Sequence, residues 1–280
     1  MITYKPLPIE DPKIEIVLDW KKYNVKDFAN KYKTWILSSN NARVIGLDNF
    51  NYYITDGVTG AFCDFEKTYP NLKSVVFRGE YPYHRDTGAI RLDHVLDLEH
   101  GQKLYISYPF ASHGLEHINF DFILEKCEKE NIPVFIDCAY FGACSFSDLY
   151  LDKSCIKFIA FSMSKAFATG KCKIGICFTR QEKTYMSLLN EYQYVNHVSI
   201  GIHDNILEKF SPDYMFNKYR NTQLDICKKF DITPSKTVFL AYSYKPKQKG
   251  FDRDGTVSRY GISDLLVNGY NREIEWISKK

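Results

Sequence analysis

Three short stretches of this 280-residue chain place reactive side chains directly after apolar runs. Ser162-Met163-Ser164-Lys165 follows Ile156-Lys157-Phe158-Ile159-Ala160-Phe161, and Lys173-Ile174-Gly175 comes soon after. A lysine at the mouth of a crevice can form a Schiff base with a carbonyl compound, provided its surroundings lower its pKa enough to leave a reactive amine. Taken singly, a lysine is more often a solvated surface charge. Val134-Phe135-Ile136-Asp137-Cys138-Ala139-Tyr140 carries a carboxylate at the end of an apolar run, with a phenol three residues on. A carboxylate leaving a buried strand needs a cationic or hydrogen-bonding partner; an Asp that merely caps the next helix is the commoner case. Asp56-Gly57-Val58-Thr59-Gly60-Ala61-Phe62 follows Tyr52-Tyr53-Ile54-Thr55 and reads as a small-residue turn opening a helix. The first N–H groups of such a helix suit an anion, most naturally a phosphate. A rival pattern, His113-Gly114-Leu115-Glu116-His117, matches the His-x-x-Glu-His spacing of zinc peptidases. It starts in a loop just after Pro109 and has no evident third ligand, so no metal site is expected.

These residues need strands to hold them. Ser74-Val75-Val76-Phe77, Leu104-Tyr105-Ile106-Ser107-Tyr108 and the runs before Asp137 and Ser162 are short and continuously apolar, the pattern of strands buried on both faces. Between two of them, Phe120, Ile123, Leu124 and Cys127 recur at helical spacing until Pro133 ends the pattern. Strands alternating with helices predict an α/β fold, a mostly parallel sheet covered by helices, whose ligand crevice lies at the carboxyl ends of the strands. Residues 211–230 turn helical, with Tyr214, Tyr219 and Ile226 among polar residues, and a small second unit is expected to begin there. The polar stretch of residues 244–255 reads as a loop.

Composition narrows the function classes. The formal charge is +3, with acids and bases interleaved, so no basic stripe suggests a nucleic-acid surface and a small-molecule partner is expected. No apolar run approaches the roughly 18 residues of a membrane span, and Met1-Ile2-Thr3-Tyr4-Lys5 does not read as a signal peptide. A cytoplasmic location with no membrane partner is the expectation. The eight cysteines form no Cys-x-x-Cys pair, and Cys138, Cys155 and Cys177 sit in apolar runs, as buried reduced thiols do.

In order and spacing the motifs resemble those of the class I/II aminotransferases, pyridoxal-phosphate enzymes of fold type I. That family runs from a Gly-Ala-Thr-like turn through a Pro-x-Tyr-Pro segment, an Asn-Pro-x-Asn-Pro-x-Gly loop, an Asp-x-x-Tyr strand end and Ser-x-Ser-Lys to Arg-x-Gly. Here the counterparts are Gly57-Val58-Thr59, Gly79-Glu80-Tyr81-Pro82, residues 108–114, Asp137 to Tyr140, Ser162 to Lys165 and Lys173-Ile174-Gly175. The resemblance implies an aspartate-aminotransferase-like large domain over residues 31–210. It also implies an N-terminal segment, residues 1–30, that packs with the small domain, and a connecting helix with a reduced small α/β domain over residues 211–280. It implies pyridoxal 5'-phosphate held as a Schiff base on Lys165, which then shuttles the proton; Asp137 on the ring nitrogen; Tyr140 on the ring hydroxyl oxygen; and Tyr81 stacked on the ring. Gly57, Val58, Thr59, Ser162, Ser164 and Lys173 would surround the phosphate, Arg259 would grip a substrate carboxylate, and the enzyme would be a homodimer. The activity implied is an aminotransferase acting on an amino acid or amino-bearing metabolite. A lyase or decarboxylase on the same residues, or a non-catalytic descendant of the fold, is the alternative. Two departures stand out: Lys173 replaces the family's phosphate-binding Arg, and Ala111 replaces the Asn that reaches the ring hydroxyl oxygen, a contact for which Ser112 or His113 could substitute if the loop shifts.

Overall fold

The structure is a computed structural model and describes residues 2–3, 7–14, 23–244, 251–253 and 257–269. Parts of the expected N-terminal segment and of the C-terminal end lie outside the described residues. In chain order the first half forms α1 (Val25–Leu37), β1 (Ala42–Ile45), β2 (Asn51–Thr55), α2 (Gly57–Thr68), β3 (Lys73–Phe77), α3 (Pro82–Asp86), β4 (Ile90–Leu92), β5 (Gln102–Ser107), α4 (Phe120–Lys129) and β6 (Val134–Cys138). The second half forms β7 (Phe146–Tyr150), β8 (Ile156–Ser162), β9 (Gly175–Thr179), α5 (Tyr185–Glu191), α6 (His197–Lys209), α7 (Tyr214–Phe230), β10 (Thr233–Pro234), β11 (Leu240–Ser243), β12 (Asp252–Arg253), β13 (Val257–Gly261) and α8 (Ser263–Asn268).

Seven strands make the main sheet in the order β2-β9-β8-β6-β5-β3-β4. Every pairing is parallel except the two made by β9, which runs against β2 and β8. The residues of β5, β6 and β9 are all buried, which is why they read as continuous apolar runs rather than alternating ones. Within each strand the faces still differ. Phe135, Phe158, Tyr105 and Cys177 point toward α2, where Phe62 and Phe65 meet them in a separate apolar cluster, while Ile136, Ile159 and Ile106 join the larger core on the opposite face. Phe65 packs edge-on against Tyr105, Phe135 and Phe158 at centroid distances of 5.1 to 5.5 Å, the arrangement the ring quadrupoles favour. Burial of such rings, worth about 2–3 kcal/mol each, seats α2 so that its first turn stands over the carboxyl ends of β6 and β8.

A second sheet has the order β10-β11-β13-β12, all antiparallel, and Thr3 bridges to Gly261 at its edge. Pro234, which breaks the preceding helical pattern, lies on the edge strand β10, where a missing N–H costs no ladder bond. The polar stretch expected to be a loop contains β12: Asp252 and Arg253 pair with Ser258 and Val257. All eight cysteines are free; Cys63 is exposed and Cys172 half-buried, and the other six are buried. Among the described residues no helix is long and apolar enough to cross a membrane.

Candidate active site

One cavity of about 650 Å³ opens at the carboxyl edge of the main sheet, and all eleven site residues expected from the sequence line it: Gly57, Val58, Thr59, Tyr81, Asp137, Tyr140, Ser162, Ser164, Lys165, Lys173 and Arg259. The topology makes this possible. Gly57 follows β2, Tyr81 follows β3, Asp137 and Tyr140 end β6, and Ser162 to Lys165 end β8, all on parallel strands, while Lys173 enters β9 from the same edge because that strand runs the other way.

Asp137 is the most buried acid of the cavity wall, 6% exposed, and Ala139 N–H donates to its Oδ1 at 2.8 Å. Burial pushes its carboxyl up to about 7; the Ala139 N–H and Lys165 oppose that rise and the charge of Glu80 adds to it. Lys165 is half-buried, and burial lowers its pKa below the usual lysine range, with Arg259 and Lys173 acting in the same direction and Asp137 against them. The cavity therefore holds a carboxyl group that keeps its proton unusually well beside an amine that loses its proton unusually easily. Burial also raises Tyr140, opposed by the positive charges of Arg259 and Arg253. Its ring stands edge-on against Phe239 at 5.3 Å.

The start of α2 supplies backbone donors. Gly57 has φ +66°, a conformation a side chain resists, and Thr55 Oγ1 donates to Gly57 O at 2.8 Å across the turn. The stem of Lys173 lies on Gly57, 3.5 Å from where a Cβ would stand, and both residues line the cavity. Ser162 Oγ accepts from Ser164 N–H at 3.2 Å and lies 3.0 Å from Ser164 Oγ, which fixes the turn that carries Lys165. Tyr81 is 46% exposed and lies nearly parallel to Tyr83, with centroids 5.9 Å apart.

Several residues of the site escape a sequence reading. Arg253 lines the cavity from β12, and its Nη2 donates to Gly79 O at 3.0 Å and Glu80 O at 2.7 Å. Glu80 is buried beside the cavity, accepting from Ser107 N and Oγ and from Tyr81 N. Leu7 and Pro8 close one side, tied down by Ile9 N–H to Lys165 O at 3.1 Å and by Ser263 Oγ to Leu7 O at 2.7 Å. Ala111, where the resembled family has Asn, contributes its backbone: Arg259 Nη1 donates to Ala111 O at 2.7 Å. Neither Ser112 nor His113 lines the cavity; Ser112 Oγ is buried without a partner and His113 Nδ1 accepts from Leu115 N–H. The His113/His117 spacing also falls in turns rather than on a helix, and Glu116 is engaged by Lys236 and Ser147 N–H, so the two imidazoles do not share a helix face. Among the described residues no cluster of metal-ligating side chains occurs.

No protein-family model matches the sequence, and no curated protein matches it either. The fold does match solved structures. An aminotransferase from Staphylococcus aureus aligns with TM-score 0.62 at 12% identity, over 95% of this chain and 93% of that one. An L-threonine-O-3-phosphate decarboxylase from Porphyromonas gingivalis aligns with TM-score 0.60 at 13% identity, over 89% of each chain. A C-S lyase from Staphylococcus hominis, described as bound to PLP and complexed with L-cycloserine, aligns with TM-score 0.61 at 12% identity, over 88% of this chain and 81% of that one. The chain therefore has the aspartate-aminotransferase-like α/β fold, fold type I, that its motifs resemble.

Proposed function

We propose that the chain is a pyridoxal-phosphate-dependent aminotransferase that anchors its cofactor on Lys165 and acts on an amino acid or amino-bearing metabolite. The observation that carries this reading is the pairing, in one cavity, of an amine with a lowered pKa, Lys165, and a buried carboxyl raised to about 7, Asp137. The donor set fits the cofactor part by part. The N–H groups that open α2 and the ammonium of Lys173 suit the phosphate. Asp137 suits a protonated ring nitrogen, which would restore the carboxylate's charge by pairing with it. The ring of Tyr81 offers a face to stack on, and the hydroxyl of Tyr140 suits the ring oxygen. When bound, pyridoxal phosphate supplies an electron-withdrawing ring that stabilises negative charge on the carbon beside the substrate nitrogen. The protein's share is to hold the ring-nitrogen proton with Asp137, to take up and return the substrate proton at Lys165 Nζ, and to orient the substrate carboxylate with Arg259.

The test is the visible absorption spectrum after adding pyridoxal phosphate, for wild type and Lys165→Ala side by side. A yellow band that requires Lys165 supports the reading; a band that persists in the variant, or none in wild type, refutes it. An amine donor should then yield its keto acid, and a second keto acid should regenerate the starting spectrum. A lyase or decarboxylase is the second reading, favoured by the likeness to a decarboxylase and a C-S lyase. The same residues serve it, because the bond aligned perpendicular to the ring is the one that breaks. Release of carbon dioxide or an elimination product, with no keto acid accepted, would select that reading.

A further inference from the structure

Two buried carboxyl groups stand at the carboxyl edge of the main sheet, and the reaction proposed above uses only one of them. Glu80 is 4% exposed and Asp137 6%. Glu80 follows β3, Asp137 belongs to β6, and β5 runs between those two strands. Ser107, at the end of β5, joins the acids: it is the register partner of Asp137, and both its N–H and its hydroxyl donate to the Glu80 carboxylate. Neighbouring strands lie about 4.8 Å apart, so the two acids are close in a place where burial weakens solvent screening. Two carboxyl groups so placed do not both ionise readily; one keeps its proton because the other is charged.

The donors decide which one. Among the described residues Glu80 accepts three hydrogen bonds, from Ser107 N–H at 2.8 Å, from the Ser107 hydroxyl and from Tyr81 N–H at 2.8 Å. Asp137 accepts one, from Ala139 N–H. Donors to a carboxylate favour its ionised form, so Glu80 carries the charge and Asp137 keeps the proton. Burial raises the proton affinity of Glu80 too, but its donors and the positive charge of Arg253 oppose that rise. Arg253 is seated beside it, on the Gly79 and Glu80 carbonyls. At Asp137 the charge of Glu80 adds to the effect of burial, and Lys165, from the end of β8, acts against it. Tyr81, Tyr140 and Cys138 also feel the charge of Asp137, and burial holds all three in their neutral forms.

We propose that Glu80 is a positioning residue for the ring-nitrogen proton: a buried anion, fixed by Ser107 and the Tyr81 N–H, that makes Asp137 hold a proton in the empty site. The same charge favours a protonated ring nitrogen in the loaded site, because loss of that proton would leave two uncompensated carboxylates one strand apart. The second half of the inference rests on the cofactor reading above; the first half does not.

The first test needs no cofactor. Carbon-13 NMR of cofactor-free protein labelled at the aspartate and glutamate side-chain carboxyls follows both groups. The Asp137 signal is identified by its loss in Asp137→Asn and the Glu80 signal by through-bond correlation. In wild type Asp137 should titrate near pH 7, with Glu80 already ionised at lower pH. In Glu80→Gln the Asp137 midpoint should fall by about one pH unit or more, the effect of removing one neighbouring buried charge. A merely structural role for Glu80 would lower the stability of that variant and leave the midpoint where it was, which overturns the inference. If the variant does not fold, the wild-type order decides: Glu80 losing its proton after Asp137 overturns it equally. The second test is nitrogen-15 NMR of protein loaded with ring-labelled pyridoxal phosphate. The ring nitrogen should be less protonated in Glu80→Gln than in wild type at alkaline pH; equal protonation at every pH overturns the second half. Absence of a Lys165-dependent band refutes the cofactor reading and leaves the result for the empty site standing.

Discussion

Gly175 and Gly57 are in backbone contact: a Cβ built on Gly175 would stand 2.8 Å from the carbonyl carbon of Gly57 and 2.8 Å from the carbonyl oxygen of Phe161. Gly175 pairs with both Thr55 and Ser162 in the sheet, so this contact fixes how the start of α2 meets the strand end that carries Lys165. Gly175→Ala should push α2 away and cost about 1–3 kcal/mol of stability, with weaker cofactor binding. Urea midpoints and a pyridoxal-phosphate titration measure both; an unchanged cofactor affinity would show that the contact does not shape the phosphate cradle.

Lys173 is exposed and reaches the cavity by laying its stem on Gly57. Lys173→Gln should weaken binding of pyridoxal phosphate by about three- to tenfold, a modest factor because solvent screens the charge, and leave binding of unphosphorylated pyridoxal nearly unaltered. The ratio of the two dissociation constants is the measurement. If the ratio does not move, the phosphate lies elsewhere.

Asp137 should make the cofactor-free protein pH-sensitive in a direction opposite to that of a salt-bridged acid. Its carboxyl is raised from the usual 3.8 to about 7 in the folded state, so between those values the native state keeps a proton that the unfolded chain has lost. Stability from this group is full below about pH 4 and is lost as pH rises toward about 7. Urea midpoints of wild type should therefore fall relative to Asp137→Asn between about pH 5 and pH 7.5. A constant difference would contradict a buried, protonated Asp137. In the loaded enzyme the same variant should lower turnover by about a hundredfold or more, as expected for loss of a preorganised charge.

Lys103, 1% exposed on β5, donates to Glu66 on α2 and to Tyr69 O. Glu66→Ala removes the counter-charge and leaves a buried ammonium, which should cost about 2–3 kcal/mol, below the figure for a fully buried pair because Glu66 is 47% exposed. Lys103→Met removes the charge itself and should cost less. Chemical denaturation of the two variants gives the order; the reverse order would mean that the carboxylate, not the ammonium, bears the burial penalty.

Much of the site is legible in the chain because its elements are local. Each apolar run before Asp137 and Lys165 is a strand buried on both faces, and the residue that ends it must emerge at the sheet edge, so strand type and strand end together predict where a side chain arrives. The small-residue turn at Gly57 likewise announces a helix start, observed as α2. Arg253 is illegible for a matching reason. It lies in a two-residue strand inside a polar stretch with no apolar period, and its place in the cavity depends on pairing with β13 and on carbonyls of Gly79 and Glu80 more than 170 positions away.

What the sequence alone determined is therefore the α/β class, the strand ends that carry Asp137, Ser162 and Lys165, and the order in which they occur. Only the tertiary structure decided that Arg253 and Arg259 both line the cavity, that the charge of Glu80 acts on Asp137, that Ala111 holds Arg259 by its carbonyl, and that His113 and His117 do not share a helix. Periodicity records which way a side chain faces on its own element, whereas proton affinity and charge pairing depend on neighbours brought in by sheet register and burial, which no local pattern encodes.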